Sequence, residues 1–389
     1  MIWRTGKPSK ATTIGLALFS ILVFFLAERT AAPEKQPSFE KKLQAANLDQ
    51  LAQQAVRSSA EAMGIRIDPQ NDPYATGIIG QERTAITTDR GVVVSKILAT
   101  NPNYAAAFVQ LLQDAHVHAR DVIAVGMTGS LPGWNIAFLA ACKVLDVRPL
   151  IITSAGASDW GANVPGLTWL DMERIFNDKG LWKFKSLAAS VGGSSDNGRG
   201  LSPEGRDLLR KAIHNNHVQL IAEDTLEASI QKRMDVYSAA RAGKRIVCYV
   251  NIGGGAASVG GVQNVKLIPP GLTRHLAIRN FPIRAVINRM AEEGLPVINL
   301  LDVPKLAPRW NLPIVLEDKP PEIGQGTLYF QERYSVTNTI FLTIVLAVVL
   351  FVFIRIDLAH YLFRRRTKPA VASRSTASTP SGGEHDELL

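Results

Sequence analysis

The sequence predicts an α/β fold: a mostly parallel sheet with helices on both faces, flanked by two transmembrane helices. Three observations carry that expectation. Apolar segments stand near both ends, Ala11 to Ala27 (ATTIGLALFSILVFFLA) and Val336 to Ile354 (VTNTIFLTIVLAVVLFVFI). Between them, short apolar runs alternate with segments of helical periodicity, the pattern of parallel strands covered on both sides. Glycine- and serine-rich loops follow three of those runs.

The end segments reach roughly 25 and 28 Å at about 1.5 Å per helical residue, enough for a slightly thinned hydrocarbon core. Arg4, Lys7 and Lys10 precede the first; Arg355, Arg364, Arg365, Arg366 and Lys368 follow the second. The positive-inside rule then puts both termini in the cytoplasm and the large domain outside the plasma (inner) membrane. A cleaved signal peptide is the competing reading of the first segment. Its long apolar run, followed by AERTAAPEKQ without an A-x-A site, favours an uncleaved anchor.

The expected organisation is a cytoplasmic tail (1–10), a span (11–27), a linker and juxtamembrane helix (28–72) and an extracytoplasmic α/β domain (73–303). A proline-rich connector (304–335), a second span (336–354) and a basic, disordered cytoplasmic tail (355–389) complete it. Phe39 to Met63 has helical periodicity, with Leu43, Leu48, Leu51, Ala55 and Val56 on a partly apolar face. Ala85–Thr88 and Val92–Leu98, the latter containing Lys96, read as a hairpin around Asp89-Arg90-Gly91. Asn101-Pro102 opens a helix to about His116. Asp121–Gly126 is a buried strand, Pro132–Leu145 a helix and Arg148–Thr153 a strand. Thr168-x-x-Asp171 is a capping box for a helix to about Lys179. Lys185–Val191 reads as a strand, Ser202-Pro203-Glu204 starts a helix to Asn215, and Asp224-x-x-Glu227 caps one running to Ala242. Arg245–Val250, Ile283–Glu293 and Pro296–Asn299 follow as strand, helix and strand.

Formal charge is +9, of which the tails hold +3 and +2, leaving the central part mildly basic. That bias suits a polyanion or an anionic surface. No Arg/Lys-rich helix interleaved with aromatics is present, so a nucleic-acid partner is not expected. Two cysteines, Cys142 and Cys248, sit among apolar neighbours and read as buried thiols. The seven histidines form no H-E-x-x-H or comparable spacing; no metal and no cofactor are expected.

The chemistry-bearing candidates are the loops. Gly126-Met-Thr-Gly-Ser-Leu-Pro-Gly133 leads into a helix, whose free N–H groups favour an anion; Thr128, Gly129, Ser130 and Asn135 are its candidate ligand-binding residues. Ser154-Ala-Gly-Ala-Ser158 contributes Ser154 and Ser158, and Asn251-Ile-Gly-Gly-Gly255 contributes Asn251, Gly253, Gly254 and Gly255. Ligands of parallel sheets bind outside the carboxyl ends of the strands, so the three loops are expected on one rim. Glycine and serine also serve as turn and cap residues, and none of the loops matches a named phosphate signature. Ser130 is a weak candidate nucleophile at a strand-to-helix elbow; T-G-S-L-P is not G-x-S-x-G, and anion binding or N-capping is its commoner role. Gly192 to Gly200 is a fourth loop, with Asp196 and Arg199 as possible contacts; a surface loop is the commoner explanation. Asp171 and Glu173 read as helix-start acids rather than a catalytic pair.

ITTDRGVVVSK, NPNYAA, VIAVGMTGSLPGWNIA, GASDWGANVPGLTWLDMERIF and NIGGGAASVG resemble the bacterial poly-gamma-glutamate system protein family. The resemblance runs from about Tyr74 to Leu300 and is densest from Ala85 to Phe176. It implies a membrane-anchored accessory component of poly-γ-glutamate synthesis or export, with the polymer or its synthesis and export proteins as partners. The alternative it leaves open is a hydrolase or transferase acting on the polymer. It transfers no catalytic residue to this chain.

Overall fold

The structure is a computed structural model and describes residues 10–277 and 280–355. The basic residues Arg4 and Lys7 and the expected tail beyond Arg355 lie outside the described residues. The chain separates into two compact units, one spanning Glu34–Gln331 and one formed by the segments up to Pro33 and from Glu332. The large unit is wider than the expected 73–303: the helix near residue 50 and the proline-rich connector both belong to it.

Helix α1 (Lys10–Glu28) is followed by strand β1 (Ala31–Lys35), and α2 (Phe39–Ala62) comes next. Its buried residues Ala45, Asp49, Ala52, Val56 and Ala60 stand three or four apart, with Lys42, Ala46 and Gln53 beside them. Of the expected face, Val56 is buried and Leu43, Leu48 and Ala55 pack against the core from its margin, while Leu51 is exposed and small alanines take the central contacts.

The expected hairpin at Asp89-Arg90-Gly91 does not form. Strand β2 (Thr87–Asp89) ends there, and Val93–Leu98 is a helix, α3, so Lys96 is helical rather than in a strand. The Gly91 N–H donates to Asp159 Oδ2 at 3.2 Å, and the Asp159 N–H donates to the Asp89 carbonyl at 3.0 Å. These bonds commit β2 to a distant partner. A short apolar run such as VVSKIL has no periodicity that distinguishes strand from buried helix, and tertiary contacts decide.

Helix α4 (Asn103–Asp114) starts where Asn101 Oδ1 accepts the Asn103 N–H at 3.0 Å. Strand β3 (Val122–Thr128), helix α5 (Pro132–Leu145) and strand β4 (Arg148–Ser154) follow close to expectation. Strand β5 (Ala157–Ser158) pairs in parallel with β2. Strands β6 (Asn163–Val164) and β7 (Leu167–Thr168) form a small antiparallel pair leading into α6 (Trp169–Asp178), where Asp171 accepts the Thr168 N–H and hydroxyl. Next come β8 (Ser186–Ser190), α7 (Pro203–Asn215), β9 (Gln219–Ile221) and α8 (Leu226–Ala240). The cap of α8 is Thr225, whose hydroxyl accepts the Ala228 N–H at 3.2 Å, not the expected Asp224.

Strand β10 (Ile246–Ile252) precedes short helices α9 (Ala256–Val259) and α10 (Gly261–Val265) and strand β11 (Gly271–Thr273). Helix α11 (Val286–Glu292) begins three residues later than expected, before β12 (Val297–Leu300), α12 (Val303–Leu306), β13 (Phe330–Tyr334) and α13 (Val336–Arg355). Strand β13 pairs with β1. Among the described residues one helix, α13, has an 18-residue apolar window long enough to cross a bilayer (Val336–Phe353); the apolar stretch of α1, Thr13–Glu28, is shorter. Helices α1 and α13 touch one another.

Seven strands form the main sheet in the order β11-β12-β10-β3-β4-β8-β9, all parallel except β11. Strand alternation sorts the core. Ile123, Val125 and Met127 point into one apolar layer with α2, α4, α5 and α6; Val122 and Ala124 point into the other, against α8, α9 and α11. Cys142 and Cys248 are free, buried thiols, as their apolar surroundings predict. Burial pushes the Cys248 thiol up to about 12.

Candidate functional site

The strand order reverses between β3 and β10, since β4, β8 and β9 extend the sheet one way and β12 the other. Loops leaving the carboxyl ends of two such strands diverge and open the usual ligand crevice. Here they converge. Gly253, at φ +92°, lies where an added Cβ would be 2.1 Å from Thr128 Oγ1; at Gly255 it would be 3.1 Å from Thr128 Cγ2 and 3.4 Å from Ser154 Oγ. Only glycine allows that approach.

The expected rim residues therefore meet, and most hold one another. Thr128 Oγ1 accepts the Ser130 N–H at 3.2 Å, and Asn135 Nδ2 donates to the Thr128 carbonyl at 2.8 Å. Asn251 Nδ2 donates to the Gly253 carbonyl at 2.8 Å and to Asn299 Oδ1 at 2.9 Å. Thr128, Asn135, Ser154 and Asn251 are buried, while Gly254 is exposed at the tip of its loop. Gly129 packs against the segment after β4: a Cβ there would lie 3.1 Å from both the Ala155 carbonyl and Ala157 Cβ.

Ser130 and Ser158 form a second group. The Ser158 N–H donates to Ser130 Oγ at 3.0 Å. Lys96, on α3, donates from Nζ to Ser158 Oγ at 2.8 Å and also to the Ser130 carbonyl. Lys96 is 5% exposed, and burial pushes its ammonium down to about 8 against a smaller upward pull from Asp159. The serine facing a base is thus Ser158; Ser130 Oγ accepts a backbone N–H instead. The sequence reading put Lys96 on a strand; the segment is instead a helix that buries this side chain.

Behind the ends of β4 and β8 lies an ion pair that no local pattern announces. Arg233 Nη2 is 2.8 Å from Asp196 Oδ2, with side-chain exposures of 1% and 0%. Ser154 and Ser190 hydroxyls donate to Asp196 Oδ1 at 2.9 and 2.7 Å, and the Ser229 hydroxyl to Oδ2 at 2.6 Å. Arg233 Nη2 also donates to Ser154 Oγ and Ser190 Oγ. Asp196, expected on a surface loop, is an interior strut, and Ser154 spends its hydroxyl on it. Thirty-seven residues separate the two ions in sequence, which is why periodicity cannot pair them.

An open cleft of about 350 Å³ lies beyond the carboxyl ends of β8 and β9. Arg199, Arg206 and Arg210 line it, with Asn197, Glu223 and Asp224. Arg206 donates to the Leu201 carbonyl at 2.8 Å, and Arg210 pairs with Asp207 at 3.2 Å. Arg206 and Arg210 stand four residues apart on α7, so one helix face presents both; that i, i+4 spacing was legible but unused. Among the described residues, no three His, Cys, Asp or Glu side chains gather as metal ligands.

Comparisons with protein-family models, curated proteins and solved structures found no match to this chain.

Proposed function

We propose that this chain is a membrane-anchored accessory component of poly-γ-glutamate synthesis or export, whose α/β unit engages the polymer's carboxylates outside the membrane. The observation that carries the reading is the guanidinium-lined cleft on the carboxyl edge of the sheet. Arginine forks match carboxylates in geometry as well as charge. A wide, open groove suits a segment of a long chain better than the closed crevice at Gly253 does. The sequence strings that resemble the poly-gamma-glutamate system proteins supply the process.

The anchor follows from chain ends. Gln36 donates its N–H to the Tyr329 carbonyl at 2.7 Å, so the α/β unit receives and releases the chain at one place. Apolar helices precede and follow that place in sequence. We take both as spans; α1 is the shorter, and local thinning or flanking side chains that reach the interface accommodate such a helix. With basic residues beyond both helices, the unit lies on the extracytoplasmic side.

An in-frame deletion, read as the amount and size distribution of surface polymer, tests this function. Loss of surface polymer is the expected result. A normal amount of altered length would favour a trimming enzyme, and no change in either would overturn the proposal.

A further inference from the structure

We propose that Ser158 is a nucleophile and Lys96 its general base, forming an acyl-transfer centre for an amide or ester carbonyl. This goes beyond polymer binding and does not depend on it.

Lys96 is buried, and its Nζ is held by two oxygens, the Ser130 carbonyl and Ser158 Oγ, the latter at 2.8 Å. Among the described residues no carboxylate lies within ion-pair distance of it. An ammonium in such a place is penalised by lost hydration, which makes the neutral amine accessible near neutral pH. Lysines so placed are suited to proton abstraction, and a hydroxyl within hydrogen-bond reach is the proton donor the geometry offers. The surrounding charges are few. Asp159 follows Ser158 and pairs with Arg83 at 3.6 Å; Asp89 and Arg90 are exposed on the turn before α3.

Access is from above Gly91. A Cβ at that position would lie 2.5 Å from the Asp159 carbonyl oxygen and 3.2 Å from Ser158 Oγ, so only glycine packs there without crowding the hydroxyl. Its neighbours Arg90 and Val92 are exposed and Ser158 is 9% exposed, so the hydroxyl lies just beneath the surface at this point. Ser130 completes the group: its oxygen fixes the Ser158 backbone, and its hydroxyl proton is free to donate to a developing oxyanion.

The reaction balances with water alone. Neutral Lys96 Nζ takes the Ser158 hydroxyl proton as Oγ bonds to the carbonyl carbon. The carbon–nitrogen or carbon–oxygen bond then breaks, and the Lys96 ammonium returns the proton to the leaving group. Water, deprotonated by Lys96, attacks the acyl-serine; the proton goes back to Ser158 Oγ and the carboxylic acid departs. An amine in place of water gives transfer.

A structural staple, in which Lys96 merely ties two loops together, is the rival. A fluorophosphonate probe on the full-length protein in detergent, with the adduct mapped by mass spectrometry between pH 6 and 10, separates them. We expect one adduct, on Ser158, forming faster as pH rises through about 8. Ser158→Ala abolishes it, Ser130→Ala slows it while Ser158 remains the modified residue, and Lys96→Met slows it by about 100-fold, the lower end of the range typical of general-base loss. No adduct on folded wild-type protein at any pH, or equal rates in Lys96→Met, would overturn the dyad. If Lys96→Met does not fold, Ser158→Cys serves. Its alkylation by iodoacetamide at pH 7 should be about tenfold faster than that of free cysteine, because a neighbouring ammonium favours thiolate; an ordinary rate would overturn the proposal equally. The probe needs no polymer, so failure here leaves the deletion phenotype untouched, and the reverse holds too.

Discussion

Gly253 and Thr128 face each other across the reversal point of the sheet, so close that a Cβ on Gly253 would lie 2.1 Å from the Thr128 hydroxyl. Where parallel sheets usually open a ligand crevice, these two residues close it. Hydroxyls and amides on that rim bind neighbouring loops, and the arginine-lined cleft opens two strands away, beyond β8 and β9.

Gly253→Ala tests the closure. The added methyl meets Thr128, and φ +92° is unfavourable for any residue with a Cβ. We expect a loss of about 2–4 kcal/mol in denaturant unfolding. Thr128→Ala in the same chain should recover the steric share and leave the backbone share of about 1–2 kcal/mol.

The Asp196–Arg233 pair should behave as a unit. Removing either partner leaves an uncompensated buried ion, at about 3–5 kcal/mol. Asp196→Ala and Arg233→Met together should cost clearly less than the sum of the singles, measured from urea midpoints. Full additivity would mean that the pair is not formed in solution.

Glu173 gives a pH dependence of definite sign. It accepts from Trp169 Nε1, from the Ser186 N–H and from the Ser186 hydroxyl, yet burial dominates and pushes its carboxyl from 4.5 up to about 7. Between those values the unfolded chain is ionised and the folded one protonated. Stability from this group therefore falls as pH rises from 4.5 to 7, by on the order of 3 kcal/mol. Glu173→Gln should flatten that slope in thermal unfolding; an unchanged slope would rule Glu173 out as its source.

The membrane reading predicts reporter behaviour. Truncation fusions after Gln36 or Thr327 to a reporter active only outside the cytoplasm should be active, and a fusion after Lys368 inactive. Activity at the last position would contradict two spans.

Much of the sheet was legible because its central strands are continuous apolar runs and its helices carry punctuation. Pro132 at the first position and Ser202-Pro203 fix the starts of α5 and α7. Edge strands were not: β9 is three residues long with Leu220 exposed, so neither length nor pattern marks it. At α8 two adjacent residues, Asp224 and Thr225, can both cap, and geometry selects the second. The glycine loops were readable as loops at strand ends. Their packing was not, since the Gly253–Thr128 approach joins residues far apart in sequence. The same holds for Lys96 reaching Ser158, 62 residues on.

The central claim is that the arginine cleft binds polymer carboxylates. Titration of full-length protein in detergent with oligo-γ-glutamate, followed calorimetrically at low salt, tests it most directly. Two partly exposed guanidinia at about 1 kcal/mol each predict that Arg199→Gln with Arg206→Gln weakens binding by about 30-fold. Thr128→Ala, on the closed rim, should leave the affinity unaltered. Wild-type affinity in the double arginine variant, or a large loss in Thr128→Ala alone, would contradict the account.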